Sequence, residues 1–397
     1  MAANLTSVEK ALKELYLGAI VEQLNTDIDP FVASIERSTE AITGNNGIVR
    51  AAQIGLNGGF GAGTETGTLP LPGENIYKNL RSTTKNMYGV ISISDKLLKS
   101  VRGNDKGSFA NLIEREIQSM LHTGKWHFAR QVYGSSSGKI ANCVKGASAS
   151  TKVAVDSVQF LIEGITIDIL ASGGTTIASA RRILNIDRGK KELTISGTAI
   201  TVTDGAYITA QGSAGLEMTG LNDLFNIEAA QLYGNNRADN SWLNPTVDNA
   251  AGELTQGLLQ KTITDLEDSY NVKIDYISAG NDAFIHYMNL LKAESRQVNT
   301  TKLAGGVSGL TFNGINVVRN RFTPADGMDF LDTSKFKIDQ VSEWDWIEGP
   351  TRSIFVQNGN TPTYNATLVK YADLMCVTPG GMARLTGITA PAAAAAE

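Results

Sequence analysis

Apolar residues recur at helical spacing most clearly between Ser108 and Tyr133. Phe109, Leu112, Ile113, Ile117, Met120, Leu121 and Phe128 follow at i, i+3 and i+4 intervals, which places them on one helix face. Ser108 supplies an N-cap oxygen, and Glu114 and Glu116 sit early. Lys125 and Arg130 sit late, and Gly134 is a natural stop. At roughly 1.5 Å per residue, the predicted helix is about 39 Å long. Gly124 interrupts it at about 1 kcal/mol relative to Ala.

Other stretches carry other periods. Residues 6–25 predict an amphipathic helix with Leu12, Leu15, Ile20, Val21 and Leu24 on its apolar face. Leu254, Leu258, Leu259, Ile263 and Leu266 stripe a further helix, and Phe284, Ile285, Met288 and Leu291, with Lys292, another. A strand-like run at 272–277 lies between these two, an α/β alternation. Residues 140–215 differ. Val155, Val158, Phe160, Ile162, Ile165, Ile167 and Ile169 crowd one run. The run 182–187 turns at Arg188-Gly189-Lys190 into 192–195, and 199–202 turns at Asp204-Gly205 into Tyr207-Ile208. Short strands at this spacing predict a small barrel or sandwich.

One segment has no core to join. From Gly55 to Gly73 the chain carries seven glycines and a single charge, Glu65. It also carries Leu56, Phe60, Leu69, Leu71, Pro70 and Pro72. It is too apolar for a solvated tail and too glycine-rich to build a core. Loops this long without structure of their own are uncommon and usually functional. The runs 48–54 and 87–94, rich in β-branched residues, flank it and are expected to pair as a long hairpin. A lone hairpin is marginal in water, which points to a second subunit as its support. Leu56, Phe60, Glu65, Leu69 and Leu71, with Lys78 and Lys85 nearby, are the candidate inter-subunit contacts.

These stretches carry a resemblance. GLNGGFGAGTETGTLPLPG (55–73), NMYGVISISDKLLKSV (86–101) and SFANLIEREIQSMLHTGKWHFARQVYG (108–134) resemble the E-loop arm, its return strand and the spine helix of tailed-bacteriophage major capsid proteins with the Hong Kong 97-type fold. LTFNGINVVRNRF (310–322) with MDFLDTSKFKIDQVSEWDWIEG (328–349) is similar to the strands leaving that family's A-domain. TPTYNATLVKYADLMCVTPGGMARLTGI (361–388) is similar to its closing P-domain strands. The likeness covers most of 30–388 and rests on the order of elements.

The resemblance implies an α+β fold with eight parts. An N-terminal helix and arm span 1–45, the E-loop hairpin 46–95, the P-domain with its spine helix 96–144, and a β-rich insertion 145–215. A P-domain linker at 216–244, the A-domain at 245–340, closing P-domain strands at 341–389 and a low-complexity tail at 390–397 complete it. A-domain loop 299–309 is then expected near a symmetry axis. The implied function is a structural shell protein that self-assembles into hexamers and pentamers of an icosahedral phage head enclosing double-stranded DNA. The implied partners are other copies, a portal protein, separate scaffolding and decoration proteins, and DNA held without sequence-specific binding. Only about 30 residues precede the arm, so no built-in scaffolding segment is expected. Assembly would take place in the host bacterial cytoplasm, and the product would be the virion shell. An encapsulin-like compartment is the rival within the fold, disfavoured by the 145–215 insertion. Some related capsids cross-link a lysine to an asparagine. Lys78 and Lys85 are the lysines placed near the arm.

Composition narrows this further. A chain of 397 residues has room for two or three domains. A net charge of −5 argues against a reader of DNA through a basic face, though not against a container for DNA. Cys143 and Cys376 lack paired spacing, so neither a disulfide framework nor a structural zinc site is expected. No apolar run is long enough to span a membrane, and the acidic, amphipathic start does not resemble a signal peptide.

His122 and His127 are five apart on one helix, the wrong interval for a shared face, and with His286 read as packing or surface residues. Gly134-Ser135-Ser136-Ser137-Gly138 fits the nucleophile-elbow spacing. A helix precedes it and a strand follows, the reverse of what an elbow needs, so a plain loop is expected and a Ser136 hydrolase is the remote alternative. Gly59-Phe60-Gly61-Ala62-Gly63 lacks a following lysine for phosphate. Asp265, Glu267 and Asp268 lack calcium-loop spacing. Trp344 and Trp346 share a strand face and read as core or interface. No catalytic, cofactor or metal residue is assigned, and no enzyme activity is expected.

Overall fold

The 14-residue strand Thr363–Cys376 organises one half of the molecule. In the computed structural model, which describes residues 29–43, 47–55, 57–68, 71–96, 106–144, 148–293, 300–302, 308–349 and 353–390, it lies at the centre of a six-stranded sheet. Only the backbone is described at 106–115, 293, 300–302 and 308–309. One flank pairs with Lys85–Ser94, from Thr363 opposite Ser94 to Ala372 opposite Lys85. The other pairs with Phe336–Gln340, which Glu36–Ser38 joins in parallel. Every second residue of Lys85–Ser94 from Met87 is apolar or glycine, the alternation of a strand with one buried face.

The helix runs Lys106–Tyr133, so Ser108 lies inside it rather than at its cap. Ile117, Leu121, Phe128, Val132 and Tyr133 are buried against the sheet. Gly89 allows the close approach: a Cβ there would sit 3.1 Å from Met120 Sδ. Phe128 meets Trp344 edge-on at 5.9 Å, and Trp344 and Trp346 are both buried, as their shared face predicts. At the helix end, Gly134 N–H donates to the Gln131 carbonyl at 3.1 Å.

The expected hairpin between 48–54 and 87–94 does not form. The outgoing strand Gly47–Gly55 pairs instead with Ile76–Thr83, which follows the glycine-rich tip directly. The reason lies in side-chain burial. Met87, Ile91 and Ile93 need the helix on their face, and only the main sheet offers it.

Among the described residues, six strands between Lys139 and Ala210 pair only with one another. Their order is Lys139–Asn142, Tyr207–Ala210, Thr166–Leu170, Thr176–Asp187, Glu192–Ile195 and Lys152–Ala154. A Cys143–Val155 bridge joins the two outer strands, so the sheet closes on itself. Ile167, Ile169, Leu193, Ile195 and Ile208 fill the barrel. Its first strand begins at Lys139, ahead of the expected edge at 145.

The other half is a seven-stranded mixed sheet, from Thr246–Asp248 through Ala383–Leu385, Met328–Leu331, Tyr276–Ala279, Ile315–Arg319 and Ser308–Phe312 to Thr300–Lys302. Helices Gln256–Tyr270 and Asn281–Ala293 form where predicted; the first buries Leu259, Ile263 and Leu266 of its stripe, whereas the second turns Ala283, Tyr287, Leu290 and Leu291 inward and leaves the predicted Ile285 exposed. The strand between the helices is Tyr276–Ala279, later than the expected 272–277, because Asn271 leaves the helix in a left-handed cap and 272–275 serve as the connection. Two further expectations shift. Phe336–Gln340 belongs to the first sheet, and Ala383–Leu385 to this one, so the chain crosses between sheets at both places. The helix expected over 6–25, Leu56, Leu69, the 303–307 tip of the expected axis loop and the tail from 391 lie outside the described residues.

Candidate assembly surface

The arm is apolar at its tip and anchored at its root. Its two strands pair from Gly47 opposite Thr83 to Gln53 opposite Tyr77, with a register shift before Gly55. Ile48, Ala52 and Leu80 are buried at the root. Among the described residues between Gly55 and Ile76 there is no strand or helix. There Phe60 is 99% exposed and Leu71 85%, and Ile76 and Tyr77 are half-exposed. The Gly59 N–H donates to Asn57 Oδ1 at 2.8 Å. Gly73 closes the two limbs on each other, since a Cβ there would lie 2.5 Å from the Gly58 nitrogen. Glu65 is exposed in a turn at the far end.

Among the candidate contacts, Phe60, Glu65 and Leu71 therefore cluster on the tip, and Lys78 is exposed along the returning strand. Lys85 sits apart from them. It opens the main-sheet strand opposite Ala372 and is only half-exposed.

The sequence reading missed the groups that hold the root. Arg50 of the outgoing strand grips buried Asp339 through Nε and Nη2, with contacts of 3.0, 2.8 and 2.5 Å. Ser82 of the returning strand donates its hydroxyl to buried Asp373. Thr219 donates to the same carboxylate through its backbone N–H at 2.7 Å and its hydroxyl at 3.1 Å. Arg81 N–H donates to the Tyr233 carbonyl at 2.9 Å, and Asn235 Nδ2 to the Asn79 carbonyl at 3.0 Å. Burial pushes the Asp373 carboxyl up to about 6, against the pull of the Ser82 and Thr219 hydrogen bonds. One signal could have found both aspartates: each stands among apolar residues in a strand, where Asp is depleted.

A second pin holds the residues that precede the first sheet. Asp29 caps the short helix Pro30–Ser34, accepting from Phe31 N–H at 3.0 Å. It also accepts from the Tyr133 hydroxyl at 3.2 Å and from Asn320 Nδ2 at 2.5 Å. Burial lifts its carboxyl to about 6. Phe31 then packs edge-on against Tyr133 and Phe336, at 5.8 and 5.2 Å.

The remaining candidates fall to structural roles. His122 is exposed. His127 is half-buried and edge-on to Trp126 at 4.9 Å, and burial with nearby Arg130 holds it down to about 3, so it is neutral at physiological pH. In the 134–138 loop, the Ser135 hydroxyl and the Ser136 backbone N–H both donate to Asp223, at 2.7 and 2.6 Å. That carboxylate fastens the loop to the start of helix Leu221–Phe225. Cys143 and Cys376 are buried free thiols, pushed up to about 11 and about 12 by burial. Among the described residues, no group of three His, Cys, Asp or Glu side chains could hold a metal ion, and no helix is long and apolar enough to cross a membrane.

No protein-family model matches the sequence, and no curated protein does. Solved structures do match. The capsid asymmetric unit of cyanophage A-1(L) is 11% identical at a TM-score of 0.51, covering 93% of this chain and 92% of that one. The holo-SrpI encapsulin complex of Synechococcus elongatus is 8% identical at 0.48, covering 93% and 92%. The satellite phage P4 procapsid is 10% identical at 0.46, covering 95% and 91%. With its arm, long helix, central strand and two sheets, and with the cyanophage capsid subunit matched over nearly its whole length, the chain has the Hong Kong 97-type capsid fold.

Proposed function

We propose that the protein is a structural shell subunit, a phage major capsid protein without enzymatic activity, which assembles with copies of itself around double-stranded DNA. The observation that carries this reading is the arm. Its root is buried and pinned, yet its tip presents Phe60 and Leu71 almost fully to solvent. Large apolar side chains in that position mark an interaction surface. A neighbouring subunit is the natural cover in a fold built for shells. Hexamers and pentamers, the eight-part division of the chain, a portal protein, separate scaffolding and decoration proteins, and assembly in the bacterial cytoplasm belong to the same proposal.

Deleting 56–72 tests it. The variant should remain folded, because the pinned root stays, and should fail to close into shells under electron microscopy. Full-size particles from the deletion would refute the arm as a clamp. If the wild type forms shells, their contents decide between readings: nucleic acid supports a phage head, and a protein cargo supports a compartment.

A further inference from the structure

The root of the arm rests on two aspartates that face each other across the main sheet. Asp339 and Asp373 are register partners in the pairing of Phe336–Gln340 with Thr363–Cys376. Their side chains therefore leave the sheet on the same face, with Cβ atoms about 4.5–5.5 Å apart. Both are fully buried. Two carboxylates this close repel, and the proton affinity of one is raised unless its charge is balanced.

They are balanced unequally. Asp339 holds the Arg50 guanidinium in a two-pronged ion pair. Asp373 receives neutral donors: the Ser82 hydroxyl, and the N–H and hydroxyl of Thr219. Among the described residues no cation forms an ion pair with it. Lys85, on the neighbouring strand, acts on it through space, and the Tyr233 phenol also feels its charge. Glu36 and Glu40 also act on Arg50 through space, after Asp339 itself. Each aspartate thus binds one of the two arm strands, and only one has its charge matched.

We propose that this carboxylate pair is an acid-tightened latch for the arm: a proton on Asp373 removes its repulsion with Asp339 while Ser82 and Thr219 stay bound, so the arm root docks more firmly in mild acid than at neutral pH. The proton has a place to go. A neutral carboxyl can donate its O–H to the Ser82 hydroxyl while its other oxygen still accepts the Thr219 N–H. Burial puts the Asp373 carboxyl at about 6 when the arm is docked, against an ordinary 3.8. When the arm lifts, Ser82 and Arg50 leave, water reaches the carboxylates, and the proton affinity falls back. Docking is then linked to proton uptake. The latch is fully engaged below the ordinary 3.8 and slackens as pH rises through about 6. It acts within one subunit, whatever assembly the arm serves.

Hydrogen–deuterium exchange on the full-length chain, corrected for the intrinsic effect of pH on exchange, reads the latch at the amides of 48–54 and 77–82. Wild-type protection there should rise about threefold or more from about pH 7.5 to about pH 5. Asp373→Asn keeps the shape without the charge and should show the acid level of protection at both pH values. Ser82→Ala cuts the strand from the carboxylate without touching the buried pair, and should blunt the pH response. Asp29 titrates in the same range outside the arm, so Asp29→Asn should leave the arm's response intact. A flat wild-type response, or one that persists unchanged in both Asp373→Asn and Ser82→Ala, overturns the latch. Neither result bears on whether the arm clamps a neighbour, which the 56–72 deletion tests separately.

Discussion

At the scale of single residues, stability divides between buried apolar groups and a few buried charges of opposite pH sense. Ile117 is buried on the long helix, while His122 on the same helix is exposed. Ile117→Ala should cost about 2–5 kcal/mol, and His122→Ala much less, read as thermal midpoints of the two variants. A larger loss at His122 would mean that its imidazole holds a contact the fold depends on. Asp29 and His127 oppose each other. Asp29 binds its proton more tightly when folded, at about 6, so its contribution is fully present below 3.8 and is lost as pH rises through 6. His127 binds its proton less tightly when folded, at about 3 instead of 6.5, so stability is lost as pH falls below 6.5. Asp29→Asn should therefore remove part of the decline in midpoint towards neutral pH, and His127→Gln part of the decline towards acid. If each variant kept the full wild-type profile, neither group would titrate as its surroundings imply.

At the scale of elements, the sequence was most legible where one period ran long. The helix at Lys106–Tyr133 and the two striped helices stand where the apolar spacing put them. The barrel's turns at 188–190 and 204–205 were equally plain, because glycine at 205 takes a positive φ of 73° and the flanking runs alternate. Pairing partners were not legible. Runs 48–54 and 87–94 look alike in composition, and only the third dimension decides that Met87, Ile91 and Ile93 belong under the helix. Asp339 and Asp373 stand out singly as aspartates in apolar strands, but that they meet each other, and that Arg50 reaches one of them, was not legible, since the three are far apart in sequence. Glycine roles are also a tertiary property. Gly280 joins strand Tyr276–Ala279 to its following helix, and a Cβ there would lie 1.8 Å from the Pro324 carbonyl oxygen. Gly257, near the start of helix Gln256–Tyr270, is exposed, and the nearest atom to its would-be Cβ is 3.8 Å away. Gly280→Ala should therefore unfold or strongly destabilise the chain. Gly257→Ala should raise stability by up to about 1 kcal/mol through helix propensity. Circular dichroism melts of both variants check the contrast, and equal effects of the same sign would contradict it.

At the scale of the whole molecule, the described residues join the barrel to the rest through a narrow neck and an apolar seam. The neck is tight. Gly215 N–H donates to the Ser137 carbonyl at 2.9 Å, and Gly138, at φ 70°, passes so close to the other limb that a Cβ would lie 2.4 Å from the Ser213 oxygen. A short linker can therefore bridge 138 and 213 without moving either end. Among the described residues the six barrel strands find all their strand partners within 139–210, so removing them opens no edge in the two main sheets. The seam is where the loss will be felt. Phe160 stacks on Phe322 at 5.7 Å, and Gln159 Nε2 donates to the Thr323 carbonyl at 2.5 Å. Excision bares the Phe322 ring, which also packs against Trp126 and Tyr133 at 6.2 and 5.9 Å. We predict that replacing 139–212 by a short glycine–serine linker leaves the Gln256–Tyr270 and Asn281–Ala293 helices folded by circular dichroism. The thermal midpoint should fall, because an aromatic pair contributes about 0.5–1.5 kcal/mol beyond the area it buries. Adding Phe322→Ser to the excised chain should restore solubility if the bared ring causes aggregation. If both excised chains are unfolded, the barrel is part of the core that holds the helix to the main sheet, and its strand closure is not independence.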